Sequence, residues 1–75
     1  MTRSEMLVEL AQIGRQVLAS ERRLARQQEI VEELASRGQA TAEATELLCQ
    51  LQEMQSVALA DERRLRDQFA AAPLH

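Results

Sequence analysis

Two long runs of helical periodicity meet at the stretch Arg37-Gly38-Gln39-Ala40-Thr41. Glycine readily takes the left-handed conformation that ends a helix, and a threonine hydroxyl can cap the first turn of the next helix. The charges agree with this division, because Arg37 falls in the last turn of the first run, and Glu43 and Glu46 fall in the first turns of the second. We therefore predict a helix-turn-helix hairpin, with this glycine and this threonine at its turn.

The limits of the predicted helices follow from signals at the two ends of the chain. Thr2 and Glu5 have the spacing of a capping box, which starts a helix. Pro73 disfavours a helical conformation at the residue before it. A connection of four residues forces the two helices to pack antiparallel. We predict a first helix at about 4–37, a turn at 38–41, a second helix at about 42–71 and a frayed tail at 72–75.

Each run carries an apolar seam whose residues are spaced alternately three and four apart, as in a coiled coil. In the first run, Ser20 and Gln27 fill two positions of the seam. The predicted fold class is all-α, an antiparallel two-helix hairpin of coiled-coil type. Its predicted hairpin and dimer core consists of Met6, Leu10, Ile13, Val17, Leu24, Val31, Leu34, Leu47, Leu48, Leu51, Met54, Ala58, Leu65 and Phe69.

The alignment of the two helices depends on where the turn is centred. With the centre between Gln39 and Ala40, Gly14 would face Leu65. This glycine has two interpretations that are about equal in weight. Either a neighbouring helix approaches closely there, or the glycine is merely tolerated at a cost of roughly 1 kcal/mol relative to alanine.

A chain of 75 residues buries too little apolar surface to be comfortably stable alone. It has one cysteine and one histidine, so neither a disulfide framework nor a metal cage can supplement its core. Self-association remains, and we predict a homodimeric four-helix bundle with two-fold symmetry. A second hairpin would cover the apolar residues at the flanks or backs of the seams, which are Leu7, Leu18, Ile30, Val57 and Leu59.

Polar residues on the core faces allow two interpretations. Gln27, Gln55 and Glu62 would form a polar binding site inside the bundle, or they would have structural roles. In the structural case the glutamines hydrogen-bond across the seam to fix its register. Glu62 then reaches the rim or pairs with an arginine, either Arg66 or one from another chain. Metal-binding bundles use Glu-x-x-His pairs on facing helices, and this chain has no such pair. We favour the structural interpretation.

Clusters of arginine are the other candidate site. Arg22, Arg23 and Arg26 could contact phosphates from a helix surface, and a second cluster lies at 63–66. Acidic residues lie within one turn of both clusters, as intrahelical ion-pair partners would. The net charge of −3 also argues against a general affinity for nucleic acid. We favour a solvated, charge-balanced face and keep RNA binding as the alternative.

The sequence lacks the residue patterns that are typical of catalysis and membrane insertion. It has no second histidine, Gly-rich phosphate loop or Ser-His-Asp set, so we expect no enzyme, cofactor or metal. No segment approaches the ~18–20 uninterrupted apolar residues of a membrane span. Early acidic residues argue against a secretory signal, so we expect a soluble, cytoplasmic protein. Cys49 lies almost opposite Leu51 on its helix, and we expect an exposed, inert thiol.

A family resemblance is carried by residues 20–48, SERRLARQQEIVEELASRGQATAEATELL. This stretch resembles short helical-hairpin proteins found mainly in alphaproteobacteria, whose pattern reads roughly G-E-R-x-I-x-x-Q-x-x-I/V-x-x-L and then G-H-D-T-x-x-A-x-x-L-L. The chain departs from it at Ser20, where glycine is usual, and at Gln39-Ala40, where His-Asp is usual. Thr41 must therefore cap without an aspartate before it. The resemblance covers about residues 20–66 and implies a helical hairpin without a known activity.

The sequence thus predicts a non-enzymatic homodimeric bundle that serves as a protein-protein interaction or regulatory module. Its exposed helical faces would dock an unidentified protein partner. The alternative is a small RNA-binding regulator that uses Arg22, Arg23 and Arg26 on phosphates.

Overall fold

The computed structural model describes residues 2–72 and consists of two α-helices, α1 at Arg3–Ser36 and α2 at Ala42–Ala71. They pack against each other as an antiparallel hairpin, which confirms the predicted all-α class. Both helices match their predicted limits to within one residue. Of the predicted tail, Ala72 caps α2 in an extended conformation, and residues 73–75 lie outside the described residues.

The first helix begins at a side-chain cap. Thr2 has an extended backbone, with φ −78° and ψ 163°, and its hydroxyl oxygen accepts a hydrogen bond of 3.2 Å from the backbone N–H of Glu5. This bond satisfies one of the N–H groups that the first turn leaves without a helical partner. The Thr2 cap that the spacing predicts is therefore present.

The first helix ends at a glycine with a positive φ. Gly38 has φ +68°, and its N–H donates to the carbonyl of Ala35 at 3.0 Å, while the N–H of Gln39 donates to that of Leu34 at 2.9 Å. These two bonds define a Schellman motif, which requires the left-handed conformation at this position. Arg37 is the C-cap residue and lies just past α1, so its predicted place in the last helical turn is wrong by one residue.

The predicted hydroxyl cap at Thr41 is wrong. Thr41 precedes α2 with φ −113° and ψ −3°, and its side chain makes no capping hydrogen bond to the described part of the helix. A capping hydroxyl reaches the N–H groups of the first turn from an extended backbone, whereas this backbone is already nearly helical. The carbonyl of Thr41 instead accepts the first helical bond, from the N–H of Thr45 at 2.8 Å.

The core of the hairpin is a narrow seam. Among residues 2–72, the buried apolar residues are Val17 and Leu65. Leu47 and Met54 are 45% and 59% exposed, so these two predicted residues lie outside the core of the hairpin, beside the seam rather than on it. The other predicted core residues are half-buried, and they are Met6, Leu10, Ile13, Leu24, Val31, Leu34, Leu48, Leu51, Ala58 and Phe69.

The two helices are aligned one to two turns away from the predicted register. Gln27 bonds to Ala44, whereas the predicted register places Gln52 opposite it. A Cβ placed on Gly14 would lie 3.8 Å from Oε2 of Glu62, one turn before the predicted neighbour Leu65. This distance is an ordinary van der Waals contact, so the packing does not require glycine here. Of its two interpretations, the tolerated glycine is the one that the packing supports.

Candidate self-association surface

The hairpin is long and thin for its mass. Its axes measure 59 × 15 × 13 Å, and its radius of gyration is 17.1 Å, whereas a compact domain of this length has about 11 Å. The accessible surface is 5759 Å² for 8.5 kDa, and a compact monomer of that mass exposes about 4,700 Å². Each chain therefore exposes roughly 1,000 Å² more than a globular protein of its size.

Large apolar side chains on this surface are divided between the two flanks of the seam on α2. Gln55 and Ala58 mark the seam there. Met54 precedes Gln55 and therefore lies on one side, whereas Leu59 follows Ala58 and lies on the other. The exposed large apolar residues are Leu7, Val8, Leu18, Leu47, Met54, Val57 and Leu59. The predicted exposure of Leu7, Leu18, Val57 and Leu59 is confirmed, and Ile30 is half-buried.

We call the side that carries Leu47 and Met54 the groove face, because two open depressions follow it between the helices. The larger, about 610 Å³, has Ile13 and Ala58 in its lining, with Met54 and Val57 beside them. The second, about 460 Å³, lies nearer the turn and has Leu51 and Leu47 in its lining. The groove face thus presents apolar side chains on and beside its floor.

Charged residues border this groove with opposite sign on the two helices. Arg22, Arg23 and Arg26, the cluster singled out from the sequence, line the second depression from α1. Glu53 and Asp61 line the larger depression from α2. The sequence interpretation named Asp61 as an ion-pair partner of the second arginine cluster and did not single out Glu53. The seven-residue spacing of Leu47, Met54 and Asp61 was the available signal that Asp61 lies on this face.

Some of these charges are already paired within the chain. Arg26 contacts Glu29 at 3.2 Å, and Arg64 contacts Asp61 at 2.7 Å, both as exposed pairs on one helix. Such pairs were predicted from spacing, and each contributes little to stability because water screens them. Arg22, Arg23 and Glu53 make no ion pair with any residue of 2–72.

The three polar residues of the seam are separated along it. Gln27 is buried and donates from Nε2 to the carbonyl oxygen of Ala44 at 2.9 Å, so it bonds across the seam as predicted. Gln55 is also buried, but its Oε1 accepts no hydrogen bond from residues 2–72. Glu62 lies 3.8 Å from Arg66, the arginine that the pairing prediction named, and its side chain is 16% exposed. The described contacts do not bring these residues together as one polar site.

The remaining candidates are isolated. Cys49 is free and exposed, as predicted. Within residues 2–72 no three His, Cys, Asp or Glu side chains lie close enough to hold a metal ion. None of the described helices is long and apolar enough to cross a bilayer.

Comparison with known proteins finds no protein-family profile, curated protein or solved structure that matches the chain. The resemblance to alphaproteobacterial hairpin proteins therefore stays a prediction from residues 20–66.

Proposed function

We propose that the chain is a non-enzymatic assembly module. Two hairpins pair into a homodimeric four-helix bundle, and this bundle acts as a protein-protein interaction or regulatory unit. The observation that carries the proposal is the thin core: Val17 and Leu65 are the buried apolar residues of 2–72, while seven large apolar side chains are exposed. An isolated hairpin of this kind gains little stability from burial.

The exposed area supports the same proposal quantitatively. A standard specific interface removes about 800 Å² from each partner. The excess of roughly 1,000 Å² per chain is enough to supply such an interface. Pairing along the long axis also suits the 59 Å length of the hairpin, because four helices side by side bury more of their apolar surface than two.

Sedimentation equilibrium over a dilution series tests this proposal. We expect a mass near twice 8.5 kDa, with dissociation and loss of helical circular dichroism at the same dilution, since the core is completed only in the dimer. A folded species of 8.5 kDa that melts cooperatively would contradict the proposal.

RNA binding is the second candidate function. It is favoured by Arg22 and Arg23, which point at one depression and have no ion-pair partner among residues 2–72. Binding of this kind weakens steeply with salt, because counterions are released from the phosphates. A titration with bulk RNA at low and at moderate salt tests it. We expect no shift in RNA mobility at either salt concentration. A shift at low salt that is lost in the double variant Arg22→Ala, Arg23→Ala would favour the RNA function instead.

A further inference from the structure

We propose that the groove face is the dimer interface, and that α1 of each chain packs antiparallel against α2 of the other with Arg23 within side-chain reach of Glu53 of the second copy. This inference rests on the proposed self-association and adds the face, the orientation and one specific contact. The occupant of the groove is a second copy of the same chain.

The shape of the groove face favours this role. Leu47, Met54 and Val57 stand beside it and are 45%, 59% and 62% exposed. They lie next to the two open depressions, whose floors include Ile13 and Leu51. An apolar ridge beside an apolar groove is self-complementary, because a two-fold axis places the ridge of each copy in the groove of the other.

The charges on the two sides of the groove are also self-complementary. Arg22 and Arg23 border it from α1, and Glu53 borders it from α2. Within residues 2–72, each of these three lacks an ion-pair partner. A two-fold axis parallel to the helices places α1 of one copy over α2 of the other, so the arginines of one chain face the glutamate of the other.

The heights of these residues along the hairpin agree with that axis. Gly14 and Glu62 are neighbours across the seam. Counted from that pair, Arg23 is level with Glu53, and counted from the hydrogen bond of Gln27 to Ala44 it is level with Leu48. Arg23 and Glu53 therefore lie within roughly 7 Å of each other along the helices. An axis parallel to the helices keeps every residue at its own height, so the long side chain of Arg23 can reach Glu53 of the second copy.

The other two-fold arrangement turns the second hairpin end over end and places α1 against α1. Rotation about the middle of Arg3–Ser36 would then set Arg23 opposite Gln16 of the second copy. That pairing gives the arginine no carboxylate. With the axis at that position, the charge pattern favours the arrangement in which α1 faces α2.

Two single charge reversals test the contact. We expect Arg23→Glu and Glu53→Arg each to weaken dimerisation by about tenfold or more, because like charges then meet at two symmetric places in every dimer. An equal mixture of the two variants should form heterodimers with an affinity near that of the original chain, since both contacts regain opposite charges. Within one chain of either variant, residues 23 and 53 still carry like charges, so rescue in the mixture reports a contact between chains.

Two substitutions of an apolar residue by arginine, one on each flank of the seam, provide a matched control. Met54→Arg lies on the groove face and should abolish the dimer, whereas Leu59→Arg lies on the other flank and should leave it intact. Helical circular dichroism at high concentration checks that each variant folds. If the original chain is a dimer, two results would overturn this inference and leave the proposed function standing. One is that the two charge variants fail to rescue each other, and the other is that Leu59→Arg abolishes the dimer while Met54→Arg keeps it. A monomeric original chain overturns the proposed function as well.

Discussion

The guanidinium carbon of Arg3 lies 3.9 Å from the centre of the Phe69 ring, so the first turn of α1 is held over the last turn of α2. The same side chain donates from Nη1 to the carbonyl oxygens of Phe69 and Ala72, at 3.3 and 3.4 Å. A cation at these carbonyls also complements the negative end of the α2 dipole. The contact closes the end of the hairpin that is far from the turn.

We expect Arg3→Ala to lower the free energy of unfolding by about 1 kcal/mol, because it removes the cation–π contact and both hydrogen bonds. Arg3→Lys should recover part of this loss, since lysine keeps the charge but not the planar group that stacks on the ring. Urea unfolding at one fixed protein concentration measures both variants. An Arg3→Ala chain as stable as the original would show that this contact contributes nothing.

The two glycines should respond oppositely to the same substitution. Gly38→Ala is expected to destabilise the chain by about 1 kcal/mol, because alanine is strained at φ +68°. Gly14→Ala is expected to stabilise it by about 0.5–1 kcal/mol, because alanine favours the helix and its Cβ would meet Glu62 only at 3.8 Å. Thermal unfolding of the pair at equal concentration checks the sign of each change. A destabilised Gly14→Ala chain would mean that the helices approach more closely in the assembled protein.

The two threonines before the helices form a second matched pair. Thr2→Ala should cost about 1 kcal/mol, because it removes the cap on the N–H of Glu5. Thr41→Ala should cost clearly less, because the Thr41 side chain makes no capping bond with the described part of α2. Chemical unfolding of both variants compares them directly. Equal losses would show that Thr41 caps its helix in solution.

The sequence predicted the helices of this structure well and their alignment poorly. Gly38 and the apolar seam were enough to predict both helices and the turn, since capping and periodicity are local properties. The alignment was missed by one to two turns, because a seam with alternating spacings of three and four looks the same after such a slip. The register is instead fixed by specific contacts between the helices, such as that of Gln27 with Ala44. Such contacts cannot be predicted from a local sequence pattern.

The candidate surface was predicted in part for the same reason. A helical wheel places Leu47 and Met54 at the edge of the apolar arc, where the position of the second helix decides whether they are buried. The hairpin leaves both exposed. Glu53 was not singled out, because its partner in the proposed interface belongs to a second copy and leaves no signal in the spacing of one chain.

The two buried glutamines should differ in what their replacement does. Gln55→Leu is expected to stabilise the chain by about 1 kcal/mol or more, because it removes a buried oxygen that accepts no hydrogen bond from residues 2–72. Gln27→Leu should gain less, because it also removes the 2.9 Å bond to Ala44 across the seam. Urea unfolding ranks the two variants. A destabilised Gln55→Leu chain would indicate that the assembled protein supplies a donor for that oxygen.

Leu24 links the fold of the hairpin to its proposed assembly. It is half-buried on the seam, and its neighbour Ala25 is exposed. An aspartate at Leu24 puts a charge into the shared core, where no partner compensates its loss of hydration. If the core is complete only in the dimer, Leu24→Asp should lose the dimer and the helical structure together, because no folded monomer remains to be populated. Ala25→Asp adds the same charge on the outside and should keep both. Sedimentation and circular dichroism on the same samples measure the mass and the helix content of each variant. A Leu24→Asp chain that stays helical as a monomer would contradict the prediction, because folding would then not depend on the dimer.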